Sequence, residues 1–130
     1  MKILLVDDSK TMRTIQKRVL EALGPSVEFF EAADGFEALS VIASIGGSFT
    51  LGLIDWNMPN MDGLTLVQRI REKDKTTPLI MCTTEAEKER VVAALRAGIS
   101  NYVVKPFDAK TLLDKVNSTL AKSTATAAAA

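Results

Sequence analysis

Five side chains able to do chemistry each follow a short apolar run. Asp7 and Asp8 follow Ile3 to Val6, Asp55 follows Leu51 to Ile54, Thr83 follows Leu79 to Cys82, and Lys105 follows Tyr102 to Val104. Each alone reads as a turn or cap residue, the ordinary use of Asp at the end of a strand. Taken together they describe a site. Two carboxylates about 4 Å apart repel by roughly 4 kcal/mol at an effective dielectric near 20, so three ionised acids require cations. Lys105 supplies one fixed charge and a divalent ion the remainder. All-oxygen ligands favour Mg²⁺, Mn²⁺ or Ca²⁺ over zinc. Asp55 can then serve as a nucleophile toward phosphorus. The metal and Lys105 would neutralise charge on the transferring phosphoryl oxygens, and the Thr83 hydroxyl could hydrogen-bond one of them. The chain has no histidine. That excludes His-based triads, His metal sites and a phosphohistidine carrier.

The elements that must position these residues alternate. Lys2 to Val6 reads as a strand, and Ser9 caps a helix whose inward face is Met12, Ile15, Val19, Leu20 and Leu23, ended by Gly24 and Pro25. Val27 to Glu31 reads as a less buried strand. Asp34, with Glu37 at capping-box spacing, opens a helix bearing Ala38, Leu39, Ile42 and Ile45, stopped by Gly46 and Gly47. Leu51 to Asp55 is a strand, Trp56 to Pro59 a loop, and a helix follows with Leu66, Val67 and Ile70 inward. The pattern then repeats. Leu79 to Cys82 is a strand, Glu85 to Ala97 a helix, Tyr102 to Val104 a strand, and Asp108 caps a last helix bearing Leu112, Leu113, Val116 and Leu120. Near-continuous apolar strands between helices mean a parallel sheet covered on both faces, an α/β fold. Function in such sheets sits in the crevice at the strands' carboxyl ends.

Composition narrows the class. At 130 residues one domain is expected. Lys+Arg and Asp+Glu number 16 each, which argues against broad nucleic-acid or anionic-membrane binding. The single cysteine, Cys82, lies in an apolar run and reads as a buried inert thiol, in keeping with a reducing cytoplasm. The apolar stretch before the first acids is too short for a signal peptide, and no run approaches a membrane span. Residues 1–122 are expected to form the domain, and 123–130, STATAAAA, a disordered or frayed tail.

The motifs VDDS, DWNMPNMDG, the strand end at Thr83 and YVVKPF together resemble a response-regulator receiver domain, of the single-domain chemotaxis kind, over Lys2 to about Lys122. The resemblance implies a doubly wound five-stranded parallel sheet in the flavodoxin-like order 2-1-3-4-5 with helices on both faces. It implies a phosphorylation-activated signalling switch of a two-component system and not an enzyme, since the only chemistry catalysed is its own phosphorylation and dephosphorylation. Asp55 is then the phosphoacceptor. Mg²⁺, with Mn²⁺ able to substitute, is bound directly by the acid at Asp8, mainly through water by Asp7, and by Asp55 and the carbonyl of Asn57. Thr83 and Lys105 engage the phosphoryl group, and Tyr102 moves inward on switching. Lys88, Val91, Leu95 and Lys115 match the partner-binding face. The implied partners are a sensor histidine kinase, an output protein (a flagellar-motor switch protein first) and a phosphatase. A cytoplasmic monomer with no nucleic-acid or membrane partner is expected. Lys105-Pro106 is expected to be cis. Trp56 is open between a partner-binding aromatic and a packing residue.

Thr84 departs from the family, which commonly has a small residue after the threonine. Its β-branched side chain bears on access to Asp55 and hence on rates. Other readings compete with the favoured one. A phosphorelay shuttle or phosphate sink would share every site residue. An aspartate-nucleophile phosphatase wants D-x-D after the first strand, where this chain has adjacent acids. An FMN binder wants an anion-friendly loop where this chain has VDDSK.

Overall fold

The computed structural model describes residues 1–84 and 88–129, with side chains through Lys122. Its strands are β1 (Lys2–Val6), β2 (Glu28–Ala32), β3 (Leu51–Asp55), β4 (Leu79–Thr83) and β5 (Asn101–Val104). They alternate with α1 (Lys10–Leu20), α2 (Gly35–Ser44), α3 (Gly63–Arg71), α4 (Lys88–Ala97) and α5 (Ala109–Ala129). The five strands form one parallel sheet in the order β2-β1-β3-β4-β5, as expected. The order reverses between β1 and β3, the switch point at whose carboxyl ends sheets of this kind place their binding site.

Strand alternation sorts the core into two layers. Leu4, Val6, Ile54 and Met81 pack with Ala38, Leu66, Val67, Ile70 and Ala94, the side covered by α2, α3 and α4. Ile3, Leu5, Leu53, Ile80, Cys82 and Val103 pack with Leu20, Leu112 and Val116, the side covered by α1 and α5. Both layers are necessary because β1, β3 and β4 are buried nearly throughout. The edge strand β2 is less buried, as its mixed sequence implied.

Several expectations need correction. Ile15 does not face the core. It is 42% exposed, and its neighbour Gln16 is 1% exposed in its place. A 3-10 turn, Glu21–Leu23, separates α1 from Gly24. β2 and β4 each extend one residue further than expected, to Ala32 and Thr83, and β5 begins one residue earlier, at Asn101. α4 is described from Lys88, so the expected start at Glu85 lies outside the described residues. The helical backbone of α5 continues beyond Lys122 to Ala129, in keeping with the high helix propensity of its alanines.

Candidate functional site

Backbone hydrogen bonds continue past the strand ends and fix each site residue. The Asp7 N–H donates to the Ala32 carbonyl (3.1 Å), that of Trp56 to Cys82 (3.3 Å), and that of Lys105 to Thr83 (2.8 Å). The β3–α3 loop is held from below. The Gly63 N–H donates to the Trp56 carbonyl (2.8 Å), and a Cβ at Gly63 would collide with the carbonyl oxygen of Asp55. Only glycine lets α3 start this close to the strand end. Asp62 caps α3 through the Thr65 N–H (2.8 Å). The loop is tied sideways by Asn60, at φ +68°, whose amide donates to Asp34 at the cap of α2 (3.0 Å). The Lys105-Pro106 bond is cis.

These anchors bring Asp7, Asp8 and Asp55 together. One carboxylate oxygen from each lies within 4.8 Å of the others. Asp7 and Asp55 are buried, whereas Asp8 is exposed. The Lys105 ammonium lies between the two buried acids, 2.8 Å from Asp7 Oδ2 and 3.2 Å from Asp55 Oδ1. Asp7 also accepts the Ser9 N–H on Oδ1 (2.9 Å), and its carbonyl accepts from Arg13 Nη1 (2.5 Å). Arg13 in turn pairs with Glu31 (3.1 Å), which Lys17 also reaches (3.2 Å).

The electrostatics follow from burial and crowding. Burial raises the Asp55 carboxyl above its ordinary pKa. Lys105 pulls it back and the charges of Asp7 and Asp8 push it further up, leaving it raised. For Lys105, burial alone would lower the ammonium. The hydrogen bond to Asp7 and the charges of Asp55 and Asp7 outweigh that and raise it. Cys82, fully buried beneath the cluster, has its thiol pushed up to about 12 by burial, as an inert core cysteine should.

A hard divalent cation fits this donor set. All the donors are carboxylate oxygens, and the lone ammonium leaves the three acids under-neutralised. Both Asp7 oxygens already accept hydrogen bonds, from Ser9 and Lys105. Asp8 has no such hydrogen bond and is exposed, and Asp55 is engaged by Lys105 on Oδ1 alone, so these two acids offer the freer oxygens to a cation.

The remaining expected residues lie around the cluster. Thr83 is buried at the end of β4. Thr84 is exposed just beyond it, and Asn57 is exposed two residues after Asp55. Tyr102 is half-buried against the α2–α4 core layer, with Lys115 Nζ 5.0 Å from its ring centroid. Lys88 and Leu95 are exposed on α4, and Val91 is half-buried. Trp56 is mostly buried, which favours its packing role, and its ring lies under the Arg90 guanidinium at 5.2 Å.

The sequence of residues 3–117 matches the family described as "Response regulator receiver domain". The chain belongs to that family. It is 44% identical over 119 residues to "Chemotaxis protein CheY-3" of Vibrio cholerae, covering 90% of this chain and 89% of that protein. It is also 44% identical over 122 residues to "Chemotaxis protein CheY homolog" of Campylobacter jejuni, covering 92% of each. A solved structure from Borrelia burgdorferi, the "CheX-CheY-BeF3-Mg+2 complex", superposes with a TM-score of 0.84 at 30% identity, covering 91% of this chain and 87% of that one. The chain is thus a CheY-like receiver, a phosphorylation-activated signalling protein of the chemotaxis type and not a catalytic enzyme. Among the described residues, no helix is long and apolar enough to cross a membrane.

Sequence reasoning missed three arginines. Arg13, Arg71 and Arg90 each sit on an amphipathic helix, where a lone cation reads as a solvated residue. Arg71 instead donates to three backbone carbonyls, of Gly98, Asp74 and Thr77. Only Arg13 left a signal, four residues after Ser9 and on the side of α1 that faces the acidic strand β2.

Proposed function

We propose that the receiver is switched by phosphorylation of Asp55, drawn from a sensor histidine kinase. The supporting observation is the buried Asp55 carboxylate, 3.2 Å from the Lys105 ammonium and within 4.8 Å of Asp7 and Asp8. An Asp55 oxygen forms a bond to phosphorus as the P–N bond of the donor's phosphohistidine breaks and the imidazole leaves. Asp8, Asp55 and the Asn57 carbonyl, with Asp7 acting through water, would hold Mg²⁺, or Mn²⁺ in its place, which when bound would neutralise charge on the phosphoryl oxygens. Lys105 adds a second positive charge, and its hydrogen bond to Asp7 keeps it on the Asp55 side of the crevice. The Thr83 hydroxyl takes a phosphoryl oxygen, and Tyr102 reports the change to the surface of α4, β5 and α5, where Lys88, Val91, Leu95 and Lys115 contact the output protein. A flagellar-motor switch protein is the favoured output, a phosphatase is a further partner, and the setting is the cytoplasm. Thr84 stands beside the entry to Asp55 and restricts it.

Acetyl phosphate with Mg²⁺ should add one phosphoryl group that survives acid and is lost to base or hydroxylamine. Borohydride trapping followed by mass spectrometry should place it on Asp55. Label on Ser9, Thr83 or Thr84 would defeat the assignment. A pull-down with and without beryllofluoride would then identify what binds the activated form alone.

A further inference from the structure

Away from the acid cluster, α3 and α4 are separated by an open trench of about 500 Å³. Its floor is apolar and half-buried, made by Leu64 of α3 and by Ala93 and Ala97, one turn apart on α4. Helices pack about 8–10 Å apart depending on the side chains at the contact, and two methyl groups leave room that larger residues would fill.

One end of the trench is built by Arg71. Its guanidinium donates to the carbonyls of Gly98 (3.0 and 2.9 Å), Asp74 (2.9 Å) and Thr77 (2.7 Å). The approach depends on Gly98, at φ +113°, where a Cβ would sit 2.9 Å from Arg71 Nε. Carbonyl oxygens satisfy the donors of Arg71, and the Asp74 carboxylate beside it offsets part of its charge. The rim adds Lys75 and Arg96, both exposed and without an ion pair to any described residue. Glu72 is the one acid among the lining residues, so with Arg71 set against Asp74 the rim keeps a surplus of one positive charge in a chain of zero net charge.

We propose that this trench docks a short acidic segment of a partner protein, with an apolar side chain seated on Ala93 and Ala97 and carboxylates held by Lys75 and Arg96. The charge surplus selects the sign of the partner, and the alanine floor accepts an aliphatic anchor. The shape selects the class. A small molecule in a specific pocket buries roughly 70–90% of its surface, which an open trench does not provide. Duplex nucleic acid is held by about 6–10 phosphate contacts, and anionic lipid by clusters of roughly 4–8 basic residues. Both exceed the cations present here. The carbonyls that hold Arg71 lie in the segments leading into β4 and β5, at the opposite edge of the sheet from Asp55. The proposal therefore goes beyond the phosphoacceptor reading and does not rest on it.

The test is an NMR titration of the full ¹⁵N-labelled chain, unphosphorylated and with EDTA present. The probe is a synthetic peptide of about twelve residues, glutamates flanking a central leucine pair. Saturable shifts are expected at Gln68, Lys75, Ala93 and Arg96. Affinity should fall about tenfold in the Lys75→Glu/Arg96→Glu variant, whose thermal melt checks that it is folded, and severalfold when serines replace the leucines. Shifts scattered over other basic side chains, or affinity unchanged by the charge reversal, would overturn the proposal. So would sedimentation of the chain alone as a dimer that the same double substitution dissociates, because the occupant would then be a second copy.

Discussion

Replacing Lys105 by methionine removes the one fixed cation from the acid cluster while keeping an aliphatic stem of similar length. At 2.8 Å and 3.2 Å the gross attractions to Asp7 and Asp55 are about 6 and about 5 kcal/mol at an effective dielectric near 20. Desolvation of the three groups offsets much of this. The loss expected on removing one partner of a buried pair is about 3–5 kcal/mol, and the lower figure applies here because exposed Asp8 opens the cluster to water. The pH dependence is two-sided. Lys105, a base whose folded pKa is raised, contributes stability that is complete below its unfolded pKa and is lost as pH climbs through the folded one. Asp55, an acid whose folded pKa is raised, gives up its charge first as pH falls, and the pair weakens with it. The deficit of Lys105→Met should therefore be largest near neutral and mildly alkaline pH and shrink in acid. Mg²⁺ should bind the variant more tightly, since a repelling ammonium is gone, and should recover part of the lost stability by mass action. Urea melts with EDTA at about pH 7.5 and about pH 4, each repeated with Mg²⁺, measure all three effects. A deficit that is absent at pH 7.5, or equal at both pH values, would refute the electrostatic account and leave only a packing role.

Asp55→Asn should stabilise the metal-free protein at neutral pH by on the order of 1 kcal/mol, the scale of one perturbed carboxylate. The gain should vanish in acid, where Asp55 is protonated in both folded and unfolded chains; a variant less stable than the parent in EDTA would contradict the raised pKa. Gly63→Ala should cost about 1–3 kcal/mol by overpacking, because its Cβ meets the backbone of Asp55 and Trp56, and denaturant melts would show it. Thr83→Ala should still accept phosphate and lose most of the activated gain in partner affinity, a coupling of roughly 1–3 kcal/mol, read by titrating the output partner with and without phosphoryl donor. Thr84→Ala should speed phosphorylation by small donors and self-dephosphorylation, within the roughly 10²-fold that misalignment can cost, at unchanged Mg²⁺ affinity. A capping role would instead show as about 1 kcal/mol of lost stability at unchanged rates.

The sheet and the acid cluster were legible because both rest on short-range signals. Apolar runs marked the strands, and in a parallel sheet every strand's last residue reaches the same edge, so Asp7, Asp55, Thr83 and Lys105 could be placed together without any long-range information. Helix faces were less legible. The apolar residues of α1 spread over a wider arc than the sheet and α5 cover, so Ile15 at its margin is exposed while Gln16, at i, i+4 from Leu20, is buried. Which margin is covered depends on neighbouring helices that no local pattern encodes. Arg71 shows the same limit more sharply. Its partners, Thr77 and Gly98, lie 6 and 27 residues away, and nothing in the local charge pattern of α3 distinguishes it from the exposed Arg69 beside it.

The strand alternation that built the two core layers also divides the site. Asp7 continues the series Ile3 and Leu5, Asp55 continues Leu51 and Leu53, and Lys105 follows Val103, so these three charged residues, Asp8 apart, share the register of the α1–α5 layer. Thr83 continues Leu79 and Met81, and Tyr102 packs on the α2–α4 layer, so these two share the other register. On the proposed reading, a phosphoryl group on Asp55 carries about −1.5 to −2 charge in place of the carboxylate's −1, so the first set gains at most about one negative charge. The second set is then reached through the Thr83 hydroxyl and through the backbone that both sets share, where the Lys105 N–H bond to the Thr83 carbonyl joins them. A change in where Lys105 points then acts on the ends of β4 and β5 together. Those two strand ends lead into α4 and α5, the elements that carry Lys88, Leu95 and Lys115.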